Sequence, residues 1–303
     1  MMRSRLAAVL MALLVISTAG CARFPSAAAA PGTSSSPVAV GTPTVSSTSG
    51  APSGASSSQG PVSPGTSTAS PTPTSTPTLA GHAGRYVTVG LGDSVPSAAN
   101  CSGCVSYITQ VGDRLAERAG ATGVVVNDAV AGFTSSQVLD QLGTAAVRSR
   151  VADADLVVIT VGANDLPDDS DGSCDPDSGC ARMAIAELRT RLTTIIQQVR
   201  ALQTAADAKV VVSGYWNVGV DGAVGRQNGQ QYMTTSRTMT RLFNAMVVEV
   251  AASQKAIYAD FSTPFIGTDG SADPTDLLAS DGDHPNAAGH ARPADAVVSA
   301  LGR

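Results

Sequence analysis

The stretch VTVGLGDSVPS, residues 87–97, joins an apolar, β-branched run to Gly92-Asp93-Ser94. A continuously apolar run is typical of a strand covered on both faces, as in parallel sheets. In open α/β sheets the ligand site lies beyond the carboxyl ends of the strands. The hydroxyl of Ser94 is therefore expected at that edge, either as part of a turn or as a nucleophile.

Apolar runs of this kind alternate with helix-like stretches along the chain. Strands are predicted at residues 86–90, 124–127, 156–161, 209–213 and 256–261. Helices are predicted at residues 105–119, 135–142, 182–204 and 234–253, and in a final segment that ends at Leu301. This alternation predicts an α/β domain with a doubly wound parallel sheet of about five strands.

Residues 1–20 are predicted to be a signal peptide. Two arginines precede the apolar segment 6–17, which is too short to cross a bilayer as a stable helix. The following sequence TAGC, ending at Cys21, resembles the lipobox of bacterial lipoproteins, in which the cysteine is acylated. Ordinary secretory cleavage near Ala28 and Ala30 is the alternative. We expect an exported protein, either anchored in the cell envelope through Cys21 or secreted.

Residues 21–83 are predicted to be a disordered tether, because they are almost entirely Ser, Thr, Pro, Gly and Ala and lack an apolar pattern. Residues 84–303 are long enough for one α/β domain, which we expect to be monomeric. The chain has 19 basic and 24 acidic residues, a net charge of -5, and no basic patch. We therefore expect no nucleic-acid partner and membrane contact only through the lipid anchor.

Four cysteines follow the tether in two close pairs, Cys101 with Cys104 and Cys174 with Cys180. In a cytosolic chain, CSGC would suggest a redox or zinc element, whereas export favours two local disulfides. Four cysteines allow three pairings, of which the nearest-neighbour pairing is one. The acidic loop 168–179 does not fit the register of a calcium-binding EF-hand, so we predict no metal site.

The loop SDGDHPNAAGH, residues 280–290, supplies a base for Ser94. A serine hydroxyl needs a base within hydrogen-bond reach, and the base works best when a carboxylate fixes its tautomer. We predict that His284 is this base and that Asp281 orients it, with Asp283 pointing away. An acidic surface loop with an exposed histidine is the structural alternative.

Acyl transfer also requires hydrogen-bond donors at the developing oxyanion. The candidates are the backbone N–H groups of Ser94 and Gly132 and the side-chain amide of Asn164. Gly132 as a turn residue and Asn164 as a helix cap are the structural alternatives.

Together these motifs resemble the four blocks of the SGNH/GDSL hydrolases, in the same chain order. The blocks are GDS at 92–94, Gly132, GAND at 162–165 and DGDHPN at 281–286. The resemblance spans essentially all of residues 84–303 and implies a three-layer α/β/α sandwich with a flavodoxin-like sheet. It also implies a Ser94 nucleophile, a His284 base oriented by Asp281, an oxyanion hole of Ser94, Gly132 and Asn164, and no cofactor.

Four further residues have weaker interpretations. Pro293 lacks an N–H group, so it should kink the closing helix or mark its start. Trp216, the only tryptophan, follows the fourth strand and either lines an acyl or sugar pocket or packs in the core. We interpret His290 as a structural residue of the closing segment and Asp93 as an anchor of the serine turn.

The sequence thus predicts a serine esterase that forms an acyl-enzyme at Ser94 and hydrolyses it with water activated by His284. The ester substrate is a lipid, an acetylated glycan or a small ester. Acyl transfer to another alcohol is one alternative. A non-catalytic surface lipoprotein that binds glycan or lipid is the other.

Overall fold

The computed structural model describes residues 84–167 and 174–302. The predicted signal peptide, Cys21 and the predicted tether all lie outside these residues. Among the helices of the two described stretches, none is both long enough and apolar enough to span a membrane.

The domain is built on a five-stranded parallel sheet in the order β2-β1-β3-β4-β5. Because β2 and β3 lie on opposite sides of β1, the strand order reverses between β1 and β3, and a crevice opens beyond their carboxyl ends. The strands are β1 (Arg85–Gly92), β2 (Thr122–Asn127), β3 (Leu156–Thr160), β4 (Lys209–Ser213) and β5 (Ile257–Ala259).

Nine helices and two 3₁₀ turns occupy the described residues. The helices α2 and α9 pack against each other, and α3, α5 and α7 form a second packed group. The 3₁₀ turns are Ala163–Asp165 and Thr275–Leu277. The helices are α1 (Ser94–Ser97), α2 (Tyr107–Ala119), α3 (Ser135–Leu142), α4 (Ala145–Ala152), α5 (Gly179–Leu202), α6 (Gly222–Gln227), α7 (Gly229–Ser253), α8 (Thr263–Ile266) and α9 (Ala287–Leu301).

Both faces of the sheet are covered by these helices. The adjacent residues Val157 and Val158 are both fully buried, although neighbouring side chains of a strand point to opposite faces. This burial explains why the strands read as continuous apolar runs instead of alternating ones. The predicted α/β/α sandwich with a parallel sheet of five strands is confirmed.

The structure corrects the predicted end of β5 and decides between the two alternatives for Pro293. β5 ends at Ala259, before the predicted end at residue 261, because an Asp260 carboxylate oxygen accepts hydrogen bonds from the N–H groups of Ser262 and Thr263. Pro293 does not start the last helix but lies inside it. The helix begins at Ala287, where the Asn286 side chain caps the N–H of Gly289 at 2.9 Å.

Candidate active site

The turn after β1 brings Ser94 to the start of α1. Gly92 has φ +139°, and a Cβ there would collide with the carbonyl oxygen of Thr160 on β3. Asp93 donates its N–H to the same carbonyl at 3.1 Å, and its carboxylate caps α1 by accepting from the N–H of Val95 at 3.1 Å. Ser94 is therefore the first residue of α1, and its own N–H has no acceptor within that helix.

The buried side chain of Asp93 holds this turn in place. It is 1 % exposed, and the Tyr215 hydroxyl donates a hydrogen bond to its carboxylate. Burial raises the pKa of Asp93 to about 7, although the bonds from Tyr215 and Val95 act in the opposite direction. The prediction that Asp93 anchors the serine turn is confirmed by these contacts.

Asp281 holds the ring of His284 by its Nδ1 atom. One carboxylate oxygen of Asp281 lies 2.8 Å from Nδ1, and the other accepts from the N–H groups of Asp283 and His284 at 3.0 and 3.1 Å. Burial raises the pKa of Asp281, but these hydrogen bonds outweigh burial and hold it at about 2. An ionised Asp281 makes Nδ1–H the donor and leaves the lone pair of the ring on Nε2.

The histidine loop is fastened to the loop between β4 and α6. Gly282 has φ +71°, and its carbonyl accepts from the N–H of Asp221 at 2.8 Å. A Cβ on Gly282 would lie 2.6 Å from Cβ of Val224, so a larger residue does not fit. Asp221 is fully buried and pairs with Arg237 at 3.1 Å and with the Asn217 amide at 3.0 Å. The loop that bears His284 therefore rests on the buried Asp221 carboxylate, which is paired with the partly exposed Arg237.

Asn100 links the serine turn to the histidine loop, a role that the sequence did not indicate. Its side-chain nitrogen lies 2.7 Å from the Asp281 carboxylate and 3.2 Å from Nδ1 of His284. Because Nδ1 donates its proton to Asp281, the Asn100 amide bonds to the same carboxylate oxygen. Asn100 has φ +57° and immediately precedes the Cys101–Cys104 disulfide. Asparagine adopts a positive φ more readily than most residues, and this is the only local feature of the sequence that could have pointed to Asn100.

Asn164 follows β3 in the 3₁₀ turn at the same edge of the sheet. Its amide nitrogen donates one hydrogen bond to the carbonyl of Phe133 at 3.0 Å, which leaves its second N–H for a ligand. The neighbouring Asp165 accepts from the N–H and the hydroxyl of Ser135 at 2.7 and 2.5 Å. These bonds hold the segment that contains Gly132, at φ +81°, beside Asn164.

Two adjoining cavities open at these loops. The smaller, about 60 Å³, is lined by Ser94, Asn164 and Asp283 among others. The larger, about 450 Å³, shares Asn164 and Asp283 with it and extends toward α7. The nucleophile candidate, an oxyanion donor and the histidine loop thus border a common space. Gly132 is not among the residues that line it.

A sequence model of the GDSL-like lipase/acylhydrolase family matches residues 90–292, two thirds of the chain. The chain belongs to this family. It is therefore a GDSL hydrolase, with carboxylic esters as its class of substrate. The match includes the segments around Ser94, Gly132, Asn164 and His284. Among curated protein sequences, none matches this chain.

Solved structures similar to this GDSL hydrolase are esterases and lipases. The lipase Lip_vut3 from a goat rumen metagenome has a TM-score of 0.58 at 15% identity, covering 71% of this chain and 97% of its own. Phospholipase A1 from Streptomyces albidoflavus NA297 has a TM-score of 0.52 at 24% identity, covering 71% and 98%. The acetylxylan esterase Axe2 from Geobacillus stearothermophilus has a TM-score of 0.52 at 19% identity, and the match covers 74% of this chain and 96% of that of Axe2. At these identities the structures establish the fold.

One side chain of the GDSL hydrolase points in a direction that the sequence did not predict. Asp283 does not point away from the site: it lines both cavities, and its carboxylate lies 3.8 Å from Nδ1 of His284. The cause is the tight turn in which one Asp281 carboxylate oxygen accepts the N–H groups of Asp283 and His284, since this turn brings the side chains of those two residues to the same side.

Trp216 and His290 are both core residues of the GDSL hydrolase. Trp216 is 1 % exposed and stacks on Phe265 with ring centroids 4.1 Å apart, while its edge borders the smaller cavity. His290 is fully buried in α9, and neither ring nitrogen has a hydrogen-bond partner among the described residues. Burial, together with nearby His284, lowers the pKa of His290 to about 4. The structural interpretation of His290 is confirmed.

The cysteines are joined in the nearest-neighbour pairing. Disulfides connect Cys101 with Cys104 and Cys174 with Cys180, with Cα atoms 5.5 Å apart in each. The first lies just after the serine turn, and the second lies at the start of α5. In the part of the chain that the structure describes, no cluster of three or more His, Cys, Asp or Glu side chains is arranged to hold a metal ion.

Proposed function

We propose that the protein is a serine esterase in which Ser94 is the nucleophile, His284 the general base and Asp281 the residue that orients it. The observation that carries this proposal is the ionised Asp281 carboxylate 2.8 Å from Nδ1 of His284, on a loop whose Asp283 lines the same cavity as Ser94. This arrangement leaves Nε2 free to accept a proton, which a serine nucleophile requires.

In the first half of the reaction, the hydroxyl proton of Ser94 moves to Nε2 of His284 while Oγ bonds to the ester carbonyl carbon. The carbonyl oxygen becomes an oxyanion. When this intermediate collapses, the ester C–O bond breaks and His284 returns its proton to the leaving alcohol. In the second half, water attacks the acyl carbon while His284 takes its proton; the bond between the acyl carbon and Oγ then breaks, His284 returns the proton to Oγ, and the acid is released.

The oxyanion donors are the N–H of Ser94 and the second amide N–H of Asn164, which border the smaller cavity, and the N–H of Gly132, which lies on the adjoining segment outside the cavity lining. Each such donor typically contributes about 3 kcal/mol to the transition state. The 3₁₀ turn and the hydrogen bonds that Ser135 donates to Asp165 hold Asn164 and the segment of Gly132 in place before the substrate binds, so little rearrangement accompanies the reaction.

Two supports position the base. Asn100 donates to Asp281 from the serine side, and the buried Asp221 carboxylate, paired with Arg237, holds the loop from the opposite side. Neither group reaches the reacting atoms. Both act by limiting the movement of the histidine loop, on which the geometry of proton transfer depends.

The location of the enzyme is a separate proposal, which depends on the sequence alone. We propose that the chain is exported and anchored through acylated Cys21, with residues 21–83 as a tether that separates the domain from the lipid surface. In that setting the substrate is an ester of the cell envelope or its surroundings, either lipid or acetylated glycan.

The test is hydrolysis of p-nitrophenyl esters of increasing chain length by the purified full chain. Ser94→Ala and His284→Ala are each expected to lower kcat by about four orders of magnitude. Ser299→Ala, an exposed serine on α9, is the matched control and is expected to retain full activity. Unchanged hydrolysis by Ser94→Ala would contradict the assignment.

A further inference from the structure

The larger cavity beside Ser94 has the size of a pocket for one small organic group, at about 450 Å³. It shares Asn164 and Asp283 with the smaller cavity, so one ester can occupy both cavities, with its carbonyl group at Ser94 and a substituent in the larger cavity. Its walls combine apolar side chains with hydroxyl and amide groups. The side chains that give this character are Leu166, Val218, Met239, Tyr232, Thr235 and Ser236.

The only charged side chain among the described residues that line the two cavities is Asp283. No lysine, arginine or histidine of the described chain lines either cavity. Arg237, a cationic side chain on α7, is paired with the buried carboxylate of Asp221 at 3.1 Å. The pocket is thus bordered by a single negative charge without a lining cation.

The Asp283 carboxylate is available to a ligand. Its side chain is 45% exposed, and no residue in the described stretches donates a hydrogen bond to it. Nδ1 of His284 lies 3.8 Å away, but the proton of Nδ1 is donated to Asp281 at 2.8 Å. While His284 is neutral, before it takes the Ser94 proton, no ion pair neutralises the charge of Asp283, which therefore acts on a substrate as it binds in the pocket.

We propose that Asp283 restricts the enzyme to esters that carry no negative charge on the group in the larger cavity, and so excludes substrates with a carboxylate or phosphate there. This inference rests on the proposed function of Ser94. The physical reason is like-charge repulsion at short range in a partly desolvated site, where it is screened less than at an open surface. The repulsion between Asp283 and a negatively charged substrate group is expected to lower kcat/KM at least about tenfold relative to the matching uncharged ester.

The test uses two pairs of chromogenic esters that differ in charge. The first pair, p-nitrophenyl butyrate and mono-p-nitrophenyl succinate, places the charge on the acyl group. The second, the butyrates of 4-hydroxybenzamide and 4-hydroxybenzoate, places it on the alcohol, so the pairs also show which side of the ester occupies the cavity. Because burial raises the pKa of Asp283, kcat/KM is measured at about pH 8, well above the usual titration range of an aspartate, and at low ionic strength.

The wild-type protein is expected to prefer the uncharged member of at least one pair by about tenfold or more. Asp283→Asn should reduce that preference at least about fivefold, whereas the control Asp295→Asn, an exposed carboxylate on α9, should not change it. Added salt should weaken the preference of the wild type, a readout that needs no variant.

Equal rates for both members of both pairs in the wild type would overturn the inference. An unchanged preference in folded Asp283→Asn would also overturn it. Failure of the folded wild type to hydrolyse p-nitrophenyl butyrate or any other neutral ester would instead refute the proposed function, so the two failures are distinguishable.

Discussion

Replacing His290 with leucine is expected to remove a specific acid sensitivity of the fold. His290 is fully buried, its ring nitrogens have no hydrogen-bond partner in the described part of the chain, and its pKa is lowered to about 4. In the unfolded chain the same group titrates near 6.5. As the pH falls below 6.5, the unfolded chain therefore binds a proton at this histidine that the folded chain does not bind.

The magnitude follows from these two pKa values. Their difference, 6.5 less about 4, corresponds to about 3 kcal/mol of stability. This stability is fully present above pH 6.5 and is lost as the pH falls toward 4. Asp93 has the opposite effect on stability. Its pKa of about 7 in the folded chain lies above its value in the unfolded chain, so as the pH falls the folded chain binds a proton at Asp93 before the unfolded chain does. Its contribution cancels when the wild type and the His290 variant are compared at each pH.

The assay is urea unfolding of the wild type and His290→Leu at several pH values between about 7 and 4. The free energy of unfolding of the variant, relative to the wild type, is expected to rise by about 3 kcal/mol across this range. Val297→Ala, a core substitution in the same helix, is the control and should lower the free energy of unfolding by the same amount at every pH. A difference between His290→Leu and the wild type that does not depend on pH would refute the reasoning.

Three further substitutions test other parts of the molecule. Asn100→Ala removes a donor to Asp281 and should lower kcat about fivefold, with KM and folding retained; an unchanged kcat would remove Asn100 from the positioning role. Gly92→Ala introduces a Cβ that collides with the Thr160 carbonyl and should destabilise the domain by more than about 3 kcal/mol in thermal or urea unfolding; wild-type stability would contradict the tight turn. Cys21→Ala should release the protein into the medium on cell fractionation, and unchanged membrane association would contradict the lipid anchor.

Much of the fold could be predicted because its signals are local. The bounds of β4 and α3 agree with the sequence prediction, since each is a short apolar or amphipathic run with clear limits. The helix α4 was missed because its buried apolar residues are only Val147 and Val151, so its periodic signal is weak. Its start depends on a cap, in which the Thr144 hydroxyl accepts from the N–H of Val147.

The parts of the site that were missed depend on contacts between distant segments. Asn100 and Asp281 are 181 residues apart, and no spacing in the sequence marks their hydrogen bond. The direction of Asp283 was predicted wrongly because it depends on the turn at Asp281, where one carboxylate oxygen accepts two successive N–H groups. By contrast, the sequence could place Ser94 and Asn164 at the same edge of the parallel sheet, because each lies in the turn that follows a buried strand.

The most direct measurement of the central claim is reaction of the purified full chain with a fluorophosphonate, followed by peptide mass spectrometry. A single adduct on the Ser94 peptide is expected, because a phosphonate bonds to a serine oxygen that an adjacent base has activated. The adduct should be absent from Ser94→Ala and form much more slowly on His284→Ala. A folded wild-type protein that is not labelled, or a Ser94→Ala protein labelled as fast as the wild type, would contradict the account.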